Sequence, residues 1–216
     1  HWFSVGTVVP WARPGVGVVA TQSVAEPAYG PELLDRLQAG DAPAAALEEL
    51  LDPDAGARFR QVAVLGAQGA PAVHTGPGCI RCAGHVTGAH VSAQANMMAR
   101  DGVPEAVAAA FEASSGPLAR RVLAALEAAE EAGGDVRGRQ SAALVVVAPR
   151  TEPWRKDVDL HVADHDDPLG ELRRLLDLHD AYAHATRGDD LVGDGRPGDA
   201  GAEYEAAARL APDKPE

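Results

Sequence analysis

The order of helical and strand-like segments constrains the fold of this chain more than any single motif. Apolar periodicity predicts strands within residues 5–23, 61–75, 90–98, 141–149 and 157–164. Helical patterns fall between these strands in pairs, at 31–40 with 43–51 and at 104–113 with 117–132, and one long helix begins at 168. Paired helices disfavour the βαβ alternation of a doubly wound parallel sheet. The order therefore predicts an α+β fold of two stacked, mainly antiparallel sheets covered by helix pairs, an αββα sandwich being one such arrangement.

Two of the predicted strands differ in how they bury their side chains. Residues 141–149, SAALVVVAP, are the most apolar strand, which predicts a central position in a covered sheet. In residues 157–164, DVDLHVAD, the apolar Val158, Leu160 and Val162 alternate with Asp and His. That alternation predicts a half-exposed strand.

Charge and cysteine content narrow the classes of partner. The 216 residues carry a net charge of −13, which argues against a nucleic-acid partner because such binding favours a basic patch. No apolar run is long enough to span a bilayer, so we expect no membrane partner. Two cysteines do not form a disulfide framework, and we therefore expect a reducing, cytoplasmic compartment.

The two cysteines, Cys79 and Cys82, lie in the segment GCIRCAGH with His85, and His74 and His90 are close in sequence. A zinc ion needs four ligands, and a single C-x-x-C pair supplies only two. A thioredoxin-like redox pair would lie at a helix N-terminus, whereas glycines follow this pair. We interpret the segment as a glycine-rich loop with two small buried thiols, and we predict no metal and no cofactor. A zinc or redox protein centred on the pair is the alternative.

Polar residues at strand ends supply the candidate binding groups. Arg139 and Gln140 precede the most apolar strand, and an arginine there needs a partner, either a substrate carboxylate or an internal carboxylate such as Asp135. Gln94 and Asn96 share one side of a strand, so two amides could bind an oxyanion or orient a substrate amide. The alternative for these amides is a strand end bonded to a neighbouring loop.

Further candidate binding residues lie at strand ends and could border one binding cleft together with Arg139 and Asn96. They are Ser4, Thr21, His74 and Cys79. Ordinary strand-end polarity is the alternative interpretation of all four.

Four segments in fixed order resemble one bacterial family. They are VVPWARPGVGVVATQS, AVHTGPGCIRCAGHVTG, VSAQANMM and GGDVRGRQSAALVVV. Together they resemble the family named domain of unknown function 1028, which is placed among the N-terminal nucleophile (Ntn) hydrolase-like folds. The resemblance covers roughly residues 1–185 and implies an αββα sandwich, often with a C-terminal extension.

The resemblance also implies a reaction class. In Ntn hydrolases the first residue of the mature chain attacks an amide, and its own α-amine serves as the base. The family is expected to begin about one strand before His1, so we expect the nucleophile upstream of His1 and name no catalytic residue within the chain. We thus expect an amide-bond hydrolase acting on a small-molecule or peptide substrate. A non-catalytic scaffold that binds a partner through its C-terminal part is the alternative.

The C-terminal part differs in composition from the rest. We predict one domain over residues 1–186, a Gly- and Asp-rich linker over 187–197 and a helical tail over 198–216. The tail resembles the second helix of a tetratricopeptide unit, or the start of the peptidoglycan-binding extension that some family members carry. Two further partners are left open by the sequence: a protein or cell-wall component that binds the tail, and a second copy of the chain in a homodimer.

Overall fold

A computed structural model describes residues 2–150 and 152–214. The chain divides into two compact units, residues 1–169 and 170–216. Among the described residues, the larger unit contains four complete α-helices and eight strands, and the smaller unit is helical.

The first sheet has the order β1-β2-β3-β4, and every neighbouring pair is antiparallel. Its strands are β1 Pro10–Arg13, β2 Gly17–Ser23, β3 Arg60–Gly66 and β4 Ala72–Thr75. Helices α1 Tyr29–Ala39 and α2 Pro43–Leu51 connect β2 to β3 and pack on this sheet. The strands predicted within residues 5–23 and 61–75 and the first predicted helix pair are therefore confirmed.

A compact apolar core joins this sheet to its helices. Leu33 and Leu34 of α1 and Leu47 of α2 are buried against Val62 and Val64 of β3. Burial of each such side chain stabilises the fold by about 1.5–3 kcal/mol before the entropic cost of folding is counted.

The second strand layer consists of two antiparallel ribbons. One ribbon pairs β5 Gly84–Thr87 with β6 Ser92–Ala95, and the other pairs β7 Ala142–Val146 with β8 Val158–Val162. Helix α3 Val103–Ala113 packs on the first ribbon, and α4 Leu118–Glu131 packs on β7. Because β1 contacts β7 and β3 contacts β6, the layers follow the order helices, sheet, ribbons, helices. The predicted α+β sandwich is thus confirmed.

The position of β7 differs from the prediction. We predicted a central strand, but β7 pairs only with β8 among the strands of the described residues. Its apolar side chains are instead covered by the layers above and below, since β7 packs on both α4 and β1. The half-exposed character predicted for β8 is confirmed, with Val158 and Val162 buried and Asp159 and His161 exposed.

The smaller unit contains most of helix α5, Pro168–Gly193, and helix α6, Pro197–Leu210. The two helices are joined by polar contacts, in which Glu203 of α6 accepts hydrogen bonds from His184 and Arg187 of α5. Residues 187–193, which we predicted to belong to a linker, form the end of α5, and only a short turn precedes α6. Although α5 is long, no helix within the described residues is long and apolar enough to cross a bilayer.

Candidate functional site

A cavity of about 350 Å³ lies beside the start of β7, and we call it the β7 cavity. The consecutive residues 138–143 form one side of it. Apolar side chains line much of the remainder, among them Val9, Met98, Leu126 and Ala129. Two predicted candidates, Arg139 and Gln140, lie in this lining.

Arg139 is held by carboxylates of its own chain. Its Nε donates to Oε1 of Glu130 at 2.7 Å, and one Nη lies 3.7 Å from a carboxylate oxygen of Asp167. Its side chain is 48% exposed, so water screens both pairs. The guanidinium therefore lies at the solvent-facing rim of the cavity, beside two carboxylates.

Asp135, the internal partner that we proposed for Arg139, pairs with Arg137 instead. Arg137 donates to both carboxylate oxygens of Asp135, at 3.0 and 2.6 Å. Burial raises the pKa of Asp135, but lowering contributions, with the hydrogen bonds from Arg137 first among them, outweigh burial and the pKa falls to about 2. The sequence does not show which arginine pairs with Asp135, because Arg137 and Arg139 both lie within four residues of it.

Two further residues at the start of β7 are anchored by hydrogen bonds. Gln140 donates through its amide to Oδ1 of Asp164 at 3.0 Å. Ser141 donates its hydroxyl to the carbonyl of Trp2 and accepts from the backbone N–H of Val5 at 3.1 Å. Ser141 thus attaches the first described residues to the cavity wall, a role that we did not predict from its place in an apolar segment.

Ser4 lies in the same N-terminal segment but outside the cavity lining. Its backbone is left-handed, with φ of 53°, and its N–H donates to the carbonyl of Ala163 at 2.8 Å. The observed role of Ser4 is therefore to hold the chain beside the end of β8. His1, upstream of which we predicted the nucleophile, lies outside the described residues.

A second polar site lies at the strand ends of the sandwich and is centred on Gln61, which is fully buried. Its Oε1 accepts from the amides of Gln22 at 2.8 Å and Asn96 at 3.0 Å. Its Nε2 lies within hydrogen-bond distance of Thr75 Oγ1 and of the carbonyls of Gly84 and Ala95. We call Gln22, Gln61, Thr75, His85 and Asn96 the Gln61 network.

The Gln61 network reaches solvent at His85. Nδ1 of His85 lies 2.9 Å from Oγ1 of Thr75, which is itself 3.0 Å from Nε2 of Gln61. Asn96 was a predicted candidate and Gln61 was not, because a glutamine at the start of an apolar strand gives no signal that its side chain is buried.

The remaining candidates are engaged separately. The amide oxygen of Gln94 accepts from the hydroxyl of Ser92, whereas the amide of Asn96 donates to Gln61, so the two predicted amides contact different partners. Thr21 is fully buried and donates to the carbonyl of Glu26 at 3.1 Å. His74 contacts the carbonyl of Ala57 through Nε2 at 2.8 Å. The contacts of these residues agree better with ordinary polar residues at strand ends than with groups that border one shared cleft.

The cysteine loop is held by backbone and thiol contacts. The thiol of Cys79 donates to the carbonyl of Arg60 at 3.3 Å. Cys79 and Cys82 are both free and half-buried, whereas we predicted two buried thiols. In the described part of the chain, no group of three or more His, Cys, Asp or Glu side chains is placed to hold a metal ion.

Backbone strain surrounds the Gln61 network. Ser23, Cys82 and Met97 have left-handed backbones with φ of 68°, 54° and 57°. Ser23 pairs with the residue before Gln61, and Met97 follows Asn96. A left-handed residue other than glycine costs about 1–3 kcal/mol and occurs most often at functional sites. The network therefore ranks beside the β7 cavity as a candidate site.

Comparisons with known proteins agree with the resemblance in sequence. The chain has 34% sequence identity to a protein of Silicibacter pomeroyi whose crystal structure is described as that of a DUF1028 member. The match covers 81% of this chain and 77% of that chain, with a TM-score of 0.73. No significant match occurs among curated proteins. The model of the family of unknown function DUF1028 matches residues 1–172, and the chain therefore belongs to that family.

Proposed function

We propose that this protein is an amide-bond hydrolase that binds its substrate in the β7 cavity. Two features support the proposal. The family resemblance implies an Ntn-hydrolase-like fold, whose members cleave amides. The β7 cavity combines apolar walls with a few polar groups at one side, which is the usual composition of a small-molecule site.

The observation that carries the proposal is the arrangement of Arg139. Glu130 holds its Nε, while the second terminal nitrogen, Nη2, has no partner among the described residues. This free nitrogen can donate to a substrate carboxylate or carbonyl. Gln140 lies next to it with an amide that can orient the same group.

In an Ntn hydrolase, the side chain of the N-terminal residue attacks the amide carbon. The α-amine takes the proton from that side chain and passes it to the leaving nitrogen, and water then releases the acid from the covalent intermediate. The anchoring of Trp2 and Val5 to Ser141 supports this assignment, because it holds the segment that follows the expected nucleophile at the cavity wall.

The test is hydrolysis of N-acyl amino acids and dipeptides by the purified full-length protein. We expect release of the free amine, and we expect Arg139→Ala to raise KM at least tenfold. The matched control is Arg174→Ala, because Arg174 forms a similar ion pair with Glu171 outside the cavity. Equal KM values for the two variants, or no hydrolysis across the panel, would contradict the proposal. Intact mass of the mature protein would separately exclude the Ntn mechanism if no Ser, Thr or Cys occupies the N-terminus.

A second candidate function is a scaffold that binds the cell wall through the smaller unit. A groove of about 550 Å³ lies between α5 and α6 and is lined by small side chains together with Tyr182 and Tyr204. The test is co-sedimentation of the protein with purified peptidoglycan. We expect the double variant Tyr182→Ala, Tyr204→Ala to remain in the supernatant. Equal sedimentation of the variant and the unaltered protein would exclude the groove as the binding site.

A further inference from the structure

A threonine hydroxyl and an imidazole meet where the Gln61 network reaches solvent. Oγ1 of Thr75, the last residue of β4, lies 2.9 Å from Nδ1 of His85 in β5. Thr75 is half-buried, and His85 is exposed among the described residues. A hydroxyl within hydrogen-bond distance of an imidazole is the usual arrangement of an activated nucleophile and its base.

The buried side chain of Gln61 determines where the Thr75 hydroxyl can donate its proton. Nε2 of Gln61 lies 3.1 Å from the carbonyl of Gly84 and 2.9 Å from that of Ala95. Because carbonyls only accept hydrogen bonds, this end of the amide is its NH2 group. The same nitrogen lies 3.0 Å from Oγ1 of Thr75, and an amide NH2 group donates but does not accept. The hydroxyl proton therefore does not go to Gln61, and Nδ1 of His85 is its acceptor among the described side chains.

The opposite end of the same amide holds Gln61 in this orientation. Its Oε1 accepts from the amides of Gln22 at 2.8 Å and Asn96 at 3.0 Å. Reversal of the Gln61 amide would place its carbonyl oxygen against two backbone carbonyls in a fully buried position, where water cannot compensate for the lost hydrogen bonds. The fold itself therefore directs the Thr75 hydroxyl towards the imidazole of His85.

We propose that Thr75 and His85 form an acyl-transfer site for activated acyl esters, with the Thr75 hydroxyl as nucleophile and His85 as base. Oγ1 attacks the acyl carbon while its proton passes to Nδ1 of His85. The ester C–O bond then breaks, and the leaving alcohol takes that proton from His85. Water next attacks the acyl-threonine, and its proton passes through His85 to Oγ1 as the acid is released.

This site goes beyond the proposed amide-bond hydrolase. Neither Thr75 nor His85 lines the β7 cavity, and the reaction does not use the N-terminal residue of the chain. The two side chains supply attack and proton transfer, so the matching substrate has a leaving group that departs readily, as in an aryl ester.

The test is the reaction of the full-length protein with p-nitrophenyl acetate. Quenching in acid within one turnover traps the acyl-enzyme, and peptide mass spectrometry of the unaltered protein locates the acetyl group. We expect the acetyl group on Thr75. We also expect Thr75→Val and His85→Gln each to slow release of p-nitrophenol at least about tenfold, whereas Thr75→Ser, which keeps a hydroxyl beside His85, retains about a third of the rate or more.

Thr87→Val is the matched control, because Thr87 is an exposed threonine of the same strand as His85, and it should keep the rate within about twofold. Equal rates for Thr75→Val and Thr87→Val, or acetyl groups on other residues with Thr75 unlabelled, would overturn the inference. Acetylation of the N-terminal residue instead of Thr75 would support the proposed function and refute this site. Acetylation of Thr75 without hydrolysis of any amide would keep this site and refute the proposed function.

Discussion

The amide Nδ2 of Asn96 donates to Oε1 of Gln61 at 3.0 Å, although the two residues are 35 positions apart. Gln61 lies in β3 of the first sheet, and Asn96 follows β6 of the second layer. On its other side Gln61 is bonded to the carbonyls of Gly84 and Ala95, which are paired across the β5–β6 ribbon. One buried side chain therefore fixes the register between the two layers of strands.

Substitution Gln61→Leu tests the importance of this connection. The change keeps the approximate volume but leaves the buried carbonyl of Ala95 and the amide of Asn96 without their partner. Each buried group left unsatisfied costs about 1–3 kcal/mol, so we expect the free energy of unfolding to fall by about 2–4 kcal/mol. Urea denaturation measures this free energy of unfolding. Gln68→Leu, in an exposed turn, is the control and should change stability by less than about 0.5 kcal/mol.

Because of Asp54, the free energy of unfolding should fall at acidic pH. Hydrogen bonds from Arg60, at 2.9 Å, and Tyr29, at 2.8 Å, outweigh burial and lower the pKa of Asp54 to about 2 from 3.8. Because the folded pKa is below the unfolded one, this stabilisation is present above pH 4 and is lost as the pH falls from about 4 towards 2.

The corresponding experiment is urea unfolding of the unaltered protein and of Asp54→Asn between pH 2 and 7. We expect the variant to be about 1–2 kcal/mol less stable at pH 7, with the difference shrinking towards pH 2. Asp35→Asn is the control, because Asp35 is 70% exposed in its pair with Arg13. A difference for Asp54→Asn that stays constant with pH would refute the assignment.

The glycine before the cysteine loop should not tolerate a side chain. A Cβ on Gly76 would overlap the backbone carbonyl of Arg58, which cannot move without disturbing the start of β3. We expect Gly76→Ala to lower stability by about 2–4 kcal/mol in a thermal or urea melt. Gly84→Ala provides the comparison, since open space surrounds that position, and it should be nearly neutral. Equal losses in the two variants would show that the close approach to Arg58 is unimportant.

Helices α5 and α6 approach closely at one glycine. A Cβ on Gly188 would lie 2.6 Å from the ring of Tyr204, whose hydroxyl donates to Asp189 at 2.8 Å. We expect Gly188→Ala to speed hydrogen exchange in α6 despite the higher helix propensity of alanine. Gly201→Ala, with no atom within 4 Å, should slow exchange there. Slower exchange in both variants would mean that the ring moves aside at little cost.

The polar sites were only partly predictable from sequence. Arg139 and its neighbour Gln140 were recognised because an arginine at the start of an apolar strand needs a partner, and both residues line the β7 cavity. Glu130, the partner of Arg139, was not identified. Pairing between side chains depends on how helix α4 packs on β7, and that packing is not encoded in the local pattern.

The sequence by itself determined the order of elements, the antiparallel hairpins and the family. These follow from local periodicity, from glycine and proline at turns and from motifs in fixed order. Only the tertiary structure decided that Gln61 is buried, that β7 pairs with β8 alone among the described strands and that residues 187–193 continue a helix. Those features depend on contacts between residues distant in sequence. Hydrophobic periodicity reports the faces of one segment and not the segment that covers them.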